Sequence, residues 1–303
     1  MNDPQSIAVG DYYQKRRKIP AGNVIRIRLR ASTSTLSAAE FSRVKAQIDR
    51  ETPTVVQAYA LAWLQPYRVE CMSITTAISM GFRREFCSDG CKLTRTNHYF
   101  DSDSEQPMVE LGMRPAMMLA ATDVKQAKAL IDRGIAADGT APKGTAYLVT
   151  TDDAARNVRS ARYALAQAVL GDAIRIERID GHLARANDVL FYFTGAIRVP
   201  ELASNRFLPG AAADHLTSTG GALLETDQMS SLRWLEAGAT GSYGTVVEPC
   251  NFAGKFPDPV VMMKHYLAGE TLIEAYWKSV LMPGQGLFIG EPLARPYAKS
   301  TSH

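Results

Sequence analysis

Two stretches near the carboxyl end decide the fold expected for this chain: Ala213-Asp214-His215-Leu216-Thr217-Ser218-Thr219-Gly220-Gly221 and Ala237-Gly238-Ala239-Thr240-Gly241-Ser242-Tyr243-Gly244-Thr245-Val246-Val247-Glu248-Pro249-Cys250. In each, a short apolar segment ends in small and polar residues. This pattern is typical of strands in an α/β sheet whose last residues lie together at one edge of the sheet. Ligands of such sheets bind beyond the carboxyl ends of the strands, so the two stretches predict a fold class and the place of a site.

Helix-like and strand-like segments alternate along the rest of the chain. Apolar periodicity predicts helices at residues 5–18, 37–49, 123–137, 152–170, 230–237 and 259–281. Short apolar or alternating runs predict strands at residues 25–30, 55–63, 115–121, 146–150, 174–179, 189–194, 211–216 and 245–247. Ser37 with Glu40 forms a capping box at the start of the second helix. Arginines alternate with apolar residues in the first strand, which places it near a sheet edge.

Strand, helix, strand units with short connections are best satisfied by one mainly parallel, doubly wound α/β sheet with helices on both faces. A chain of 303 residues can bury one large core, so we expect a single domain over residues 1–303. Residues 83–112 are polar and rich in Gly, Asp and Ser. They predict a loop-rich insertion over the sheet edge.

Composition limits the classes of function. The chain is 46% hydrophobic and 21% charged, as folded soluble proteins are, and its net charge of +3 is too small to indicate a nucleic-acid partner. No apolar run approaches 18 residues, so no membrane span is expected. The first residues, Met1-Asn2-Asp3-Pro4, lack the pattern of a signal peptide. Nothing in the sequence indicates an oligomeric state.

The four cysteines bear on the compartment. Cys87 and Cys91 are separated by Ser-Asp-Gly and are able to close a small disulfide ring, whereas Cys71 and Cys250 lie far apart in sequence. Two bridges would fit an oxidising, extracytoplasmic compartment, and four reduced thiols would fit the cytoplasm. A zinc site is not expected, because the one close pair lacks a matching second pair.

No cofactor is expected either. The run from Gly238 to Gly244 lacks the Gly-Lys-Ser/Thr ending of a Walker loop and does not open a strand-helix-strand unit as a dinucleotide fingerprint does. It is interpreted as a tight crossing from a helix to a strand.

The predicted site combines the loops that follow residues 189–194, 211–216 and 245–247. In a hydrolase interpretation, His215 is the general base, Asp214 or Glu248 orients it, and Ser218 or Cys250 is the nucleophile. Backbone amides of the glycines would form an oxyanion hole. The candidate binding residues are Gly195, Thr217, Gly220, Gly221, Cys250 and Asn251.

A structural interpretation of the same residues stays open. Asp214 and His215 are adjacent, so on a strand their side chains point to opposite faces and cannot both enter one pocket without a bend. In this alternative Asp214 caps a turn and His215 packs in the interior. Cys250 is then half of a disulfide rather than a nucleophile.

Several motifs carry a resemblance. They are Asn2-Asp3-Pro4, Tyr12-Tyr13, Arg17-Lys18-Ile19-Pro20, Ala129-Leu130-Ile131-Asp132-Arg133-Gly134, Asp214-His215-Leu216-Thr217-Ser218, Gly238-Ala239-Thr240-Gly241, Phe256-Pro257-Asp258-Pro259 and Gly290-Glu291-Pro292-Leu293-Ala294-Arg295-Pro296. Over nearly its whole length the chain resembles an uncharacterised family of exported bacterial proteins.

More remotely, the order of elements is similar to that of gingipain-type, caspase-like cysteine peptidases. The position of their reactive His falls on Thr194-Gly195, and that of their reactive Cys falls near Thr217 or Ser218. Gly290-Glu291-Pro292 resembles their closing segment. The resemblance implies a caspase-like fold from which both reactive side chains are missing.

Two functions are therefore expected as alternatives. The first is an exported caspase-like pseudoenzyme or binding protein that recognises a peptide or small ligand at the cleft beyond the strand ends. The second is a hydrolase of the peptidase or esterase class that uses His215, Asp214 and Ser218 or Cys250.

Overall fold

Strands and helices alternate over residues 3–29 and 33–298, which are the residues described by this computed structural model. The strands are β1 (Thr35–Leu36), β2 (Tyr59–Leu61), β3 (Arg68–Val69), β4 (Met72–Ser73), β5 (Ala116–Met118), β6 (Thr145–Thr150), β7 (Arg175–Asp180), β8 (Val189–Gly195), β9 (Phe207–Leu216), β10 (Gly241–Thr245) and β11 (Gly286–Gly290). The α-helices are α1 (Pro4–Arg17), α2 (Ala38–Glu51), α3 (Ile74–Met80), α4 (Pro107–Leu111), α5 (Val124–Ala137), α6 (Tyr163–Leu170), α7 (Leu232–Ala237), α8 (Pro259–Leu267) and α9 (Leu272–Lys278).

Eight of the strands form one sheet in the order β2-β5-β11-β10-β9-β8-β6-β7. Every neighbouring pair is parallel except β10 and β11, so three strands run one way and five run the other. This confirms the predicted α/β class with a mainly parallel sheet. A second, smaller sheet of β1, β3 and β4 was not predicted.

Both faces of the large sheet are covered, as the alternation of side chains along its strands requires. On β9, Ala212 and Leu216 belong to a core cluster with helices α6, α8 and α9. The intervening Ala211 and Ala213 belong to a different cluster, which contains Trp234 of α7. Among the described residues no helix is long and apolar enough to cross a membrane.

Two helix predictions were wrong in detail. The single helix predicted over residues 259–281 is two helices, α8 and α9. Gly269 takes a left-handed conformation (φ 95°) between them, and a capping box of Thr271 and Glu274 starts the second. The helix predicted at 152–170 begins only as a 3₁₀ turn, Asn157–Arg162, that leads into α6.

Glycine explains the strands that the sequence patterns misplaced. The run interpreted as a helix-to-strand crossing is itself β10, and β11 was missed altogether. A Cβ on Gly241 would lie 2.6 Å from Leu272, and one on Gly244 would lie 2.5 Å from the Gly221 backbone. These glycines therefore permit close packing within a strand, which is the opposite of their usual effect on strand propensity.

The strand predicted at residues 25–30 does not pair. Residues 24–29 are irregular and pair with no strand among the residues that the structure describes. Arg30 lies outside those residues, as do Met1 and Asn2. The alternation of Ile25, Ile27 and Leu29 with arginines is present, but within the described part of the chain the edge strand β2 pairs with β5 alone.

The disulfides do not include the ring that the spacing of Cys87 and Cys91 allowed. Cys71 is bonded to Cys87, and Cys91 is bonded to Cys250. Four cysteines allow three pairings, and the fold rather than the sequence spacing selects one of them. Both bridges tie the 83–112 segment to the body of the protein, the second across a sequence separation of 159 residues.

Three sequence motifs meet where α1, α5 and the closing segment pack together. Arg17 forms a bidentate pair with the buried Glu291, with its Nε donating to Oε1 at 2.9 Å. Gly134 of α5 lies directly against this carboxylate, because a Cβ there would stand 2.5 Å from Glu291 Oε2. Arg17 holds Glu291 in place, so the space beside Gly134 cannot open easily.

We therefore expect Gly134→Ala to destabilise the protein by about 1–3 kcal/mol, although alanine is the better helix former. Gly22→Ala is the matched control, since a Cβ at Gly22 meets nothing within 4 Å. Urea unfolding followed by circular dichroism measures both. Equal unfolding midpoints for the two variants would contradict the packing interpretation.

Candidate functional site

The carboxyl ends of β8, β9 and β10 lie side by side, as predicted from the two stretches that follow residues 211 and 237. Gly195 at the end of β8 is in register with Leu216 of β9. Thr245 of β10 donates its hydroxyl to the carbonyls of Thr217 (3.1 Å) and Ser218 (2.9 Å). We call this edge, formed by Gly195, Thr217, Ser218 and Thr245, the strand-end rim.

Asp214 is buried beneath the rim in an ion pair. Arg159 Nη1 donates to Asp214 Oδ1 at 2.6 Å, and both side chains are almost wholly buried. Arg159 also donates to the carbonyls of Pro257 (3.2 Å) and Thr194 (2.7 Å). Burial raises the pKa of Asp214 to about 6, against the opposing charge of Arg159. The carboxylate is committed to holding Arg159 across three segments of chain.

His215 is a neutral, fully bonded core residue. The indole Nε1 of Trp234 donates to His215 Nδ1 at 2.9 Å, and His215 Nε2 lies 3.1 Å from the carbonyl of Met229. An indole is only a donor and a carbonyl is only an acceptor, so Nδ1 is the unprotonated nitrogen and Nε2 carries the proton. Burial lowers the pKa of His215 to about 3, because the charged form would be desolvated.

The catalytic arrangement predicted from Asp214, His215, Ser218 and Glu248 is therefore not assembled. Both nitrogens of His215 already have partners, and no hydrogen bond joins it to Asp214, Ser218 or Glu248 among residues 3–29 and 33–298. The adjacent residues of β9 face opposite sides of the sheet, as the alternation of strand side chains requires. His215 cannot act as a general base in this geometry.

Cys250 is not a nucleophile, because its sulfur is bonded to Cys91. Glu248 accepts a hydrogen bond from the Cys250 amide at 2.7 Å, so it stabilises the turn in which the bridge lies. Asn251, also a predicted binding residue, is exposed next to this turn.

The rim glycines serve backbone packing. A Cβ on Gly195 would lie 2.0 Å from the Arg156 carbonyl, and one on Gly221 would lie 2.4 Å from the Gly244 carbonyl. The Gly221 amide donates to Thr245 O at 2.9 Å, so it is not available as an oxyanion donor. The Gly220 carbonyl accepts from the Ser231 amide, which further fixes this turn.

The protein's own side chains also occupy the rim. Gln228 Oε1 accepts from the Thr217 hydroxyl (2.7 Å) and from the Thr219 amide (3.0 Å). Arg156 Nε donates to Thr217 Oγ1 at 3.3 Å and forms an ion pair with Asp153. The hydrogen-bonding groups predicted to bind a ligand are thus largely satisfied from within the chain.

A large cavity lies elsewhere, at the sheet edge formed by β2. Its volume is about 680 Å³, and it lies between β2, helix α1 and residues 24–29; we call it the β2 groove. Apolar side chains dominate its wall, among them Ile7, Ile25, Ile27, Val55, Trp63 and Leu119. None of the predicted site residues lines it. Its volume falls in the range of roughly 300–1,000 Å³ that is usual for ligand sites.

Sequence reasoning missed the groove, although two signals pointed to it. The alternation over residues 25–29 indicates a segment at a sheet edge. Val55 begins the apolar run 55–63, the whole of which is predicted to be a strand. In the structure, β2 covers only Tyr59–Leu61, and Val55 is 75% exposed. Both segments line the cavity.

No cluster of three or more His, Cys, Asp or Glu residues able to hold a metal ion occurs in the described part of the chain. Comparisons with models of protein families, with curated proteins and with solved structures find no match to this chain.

The buried imidazole predicts a pH dependence. Between pH 6.5 and about 3 the unfolded chain binds a proton at His215 and the folded protein does not, so this residue lowers stability as the pH falls. Relative to His215→Gln, the wild type should lose up to about 1.4 kcal/mol per pH unit below pH 6.5. Urea unfolding at pH 7, 6 and 5 measures this difference.

His182→Gln is the matched control, because His182 is exposed and its replacement leaves the buried imidazole in place. It should keep the wild-type pH dependence. If His215→Gln and the wild type lost stability in parallel, His215 would not be a neutral core residue.

Proposed function

We propose that this chain is a non-catalytic binding protein for an apolar peptide, that it works in an oxidising, extracytoplasmic compartment, and that its binding site is the β2 groove. The observation that carries the proposal is the cavity of about 680 Å³ with a mainly apolar wall at an open sheet edge. Water in such a space gains little from its walls, so an apolar ligand that displaces it is favoured.

Exposed apolar side chains at the groove support this assignment. Ile7 and Val55 both line it, and they are 37% and 75% exposed. Single exposed apolar residues are ordinary on protein surfaces, but here they continue an apolar wall. A ligand that covers them gains roughly 25 cal/mol for each Å² of apolar surface removed from water.

Charge around the groove selects against acidic ligands. Three acidic residues line it, Asp3, Asp11 and Glu274, with one arginine, Arg26. Arg26 pairs with Asp11 at 2.9 Å, which leaves the other two carboxylates to cap helices. A neutral or basic peptide therefore fits this wall better than an acidic one.

The compartment is inferred from the cysteines. Cys71 is bonded to Cys87 and Cys91 to Cys250, and the described residues include no free cysteine. Disulfides of this kind persist in oxidising compartments and are rare in the cytosol.

The hydrolase alternative lacks a base. Among residues 3–29 and 33–298 no imidazole is hydrogen-bonded to Ser218, and Cys250 is in a disulfide. The peptidase resemblance expects His at Thr194 and Cys near Thr217 or Ser218, and the Thr217 hydroxyl is bonded to Gln228. This pattern agrees with a pseudoenzyme, because a hydroxyl without a base is a weak nucleophile.

Nile red, a neutral apolar fluorophore, tests the groove. Val55→Asp should weaken its binding at least tenfold, because binding would bring the dye against a carboxylate that prefers water. Val109→Asp is the matched control: Val109 is 70% exposed and does not line the groove. Fluorescence titration measures both. Equal weakening by the two variants, or by neither, would count against the groove as the binding site.

A fluorophosphonate probe tests the alternative. We expect no labelling of Ser218, in contrast to an active serine hydrolase treated in parallel. Labelling detected by mass spectrometry, and abolished separately by Ser218→Ala and His215→Ala, would establish a hydrolase and refute the proposal.

A further inference from the structure

We infer that the β2 groove binds its peptide by strand addition, so that an extended, apolar segment of a partner polypeptide becomes an additional strand of the sheet beside β2. This inference rests on the proposed function and specifies how the ligand is held and what it must be.

The backbone of β2 offers half of the required hydrogen bonds. On its inner side, the Tyr59 amide donates to Pro115 O (2.8 Å), and Leu61 O accepts from the Leu119 amide (2.9 Å). In a strand, the groups of alternate residues point to opposite sides, so the N–H and C=O of Ala60 point away from β5. Neither has a hydrogen-bond partner among residues 3–29 and 33–298. An edge of this kind is a template for another strand.

Residues 24–29 form the opposite wall. The Arg26 carbonyl is taken by Gln47 Nε2 at 3.2 Å, which fixes the segment against α2. The backbone groups of the flanking Ile25 and Ile27 have no hydrogen-bond partner within the described ranges. Both residues line the groove, so polar backbone borders it on the side away from β2 as well.

The two edges of the sheet are protected very differently. β7, at the far edge, has the sequence Arg-Ile-Glu-Arg-Ile-Asp, and such charges on an edge strand oppose pairing with another chain. β2 has the sequence Tyr-Ala-Leu and no charge. The uncharged edge is the one that adjoins the cavity, which argues for a bound strand there rather than for chance exposure.

The walls define the chemistry of the partner segment. Ile7 and Tyr13 of α1 line one side of the groove, and Ile48 of α2 and Ile78 of α3 also line it. A strand between helices is buried on both faces and therefore has a continuous apolar run rather than alternation. With the carboxylates at the groove, the expected ligand is a run of Val, Ile and Ala residues that contains no acidic residue.

A peptide titration tests this inference. The probe is an acetylated, amidated octapeptide of Val, Ile and Ala residues with a Lys at each end, and its matched control has the same side chains with N-methyl groups on alternate residues. Trp63 reports binding, because it lines the groove and is partly exposed, whereas Trp234 and Trp277 are fully buried. Strand addition predicts that N-methylation weakens binding at least tenfold, since it removes backbone donors.

Substitution of Ala60 provides the complementary test. Ala60→Pro removes the outward-pointing N–H of the edge and should also weaken binding of the unmodified octapeptide at least tenfold. Ala60→Val keeps that N–H and should bind as the wild type does. The N-methylated peptide decides the question on the wild-type protein if Ala60→Pro does not fold.

The outcomes separate the two proposals. If Val55→Asp weakens binding of the octapeptide but N-methylation does not, the groove binds apolar side chains and strand addition is refuted. If neither Nile red nor the octapeptide responds to Val55→Asp, the proposed function itself fails. If the octapeptide does not bind and the protein instead dimerises through β2, measured by sedimentation with Ala60→Pro as the monomeric variant, the partner strand is refuted in favour of a second copy.

Discussion

Polar groups that are removed from water need hydrogen-bond partners, and this constraint governs both the strand-end rim and the β2 edge. Beneath the strand-end rim most of these groups are paired within the chain: Arg159 neutralises Asp214, and both nitrogens of His215 are hydrogen-bonded, one to Trp234 and one to Met229. Asp214 Oδ2 and Arg159 Nε are buried without a hydrogen-bond partner among the described residues. A buried carboxylate or imidazole without such partners would cost several kcal/mol. The same hydrogen bonds that allow Asp214 and His215 to be buried also leave them unable to act as catalytic groups. The residues predicted to be catalytic thus hold strands β8 and β9 to helix α7 and the neighbouring loops.

At the β2 edge some backbone groups have no hydrogen-bond partner within the described ranges. Ala60 has backbone groups without partners in the described ranges, and residues 24–29, which also line the groove, do not bond to them. Unpaired edge groups exposed to water cost little, but they become binding energy when another strand excludes that water. The rim and the edge differ in whether their polar groups have hydrogen-bond partners, and not in which residue types they contain. That difference is why a binding function is favoured over a catalytic one.

Close packing joins motifs that lie far apart in the sequence. Arg17, Gly134 and Glu291 lie in three separate motifs and meet at one buried ion pair. Tyr12 and Arg16, on the same helix as Arg17, both bond Asp132 on the helix of Gly134. These segments fix α1 on α5 and so set one wall of the β2 groove. These residues position the helices, because their side chains bond to one another.

The sequence by itself determined the α/β class, the order of most strands and helices, and the common edge of the strands that end near Gly195, Leu216 and Thr245. Those features follow from local periodicity, caps and turn residues, which the chain carries within a few positions of each other. Tertiary structure decided the disulfide pairing, the partners of Asp214 and His215, the strand role of Gly241 and Gly244, and the β2 groove. Each of these depends on which distant segments come into contact. The local sequence around a histidine or a glycine is the same whether that residue contacts Trp234, a neighbouring backbone or a substrate.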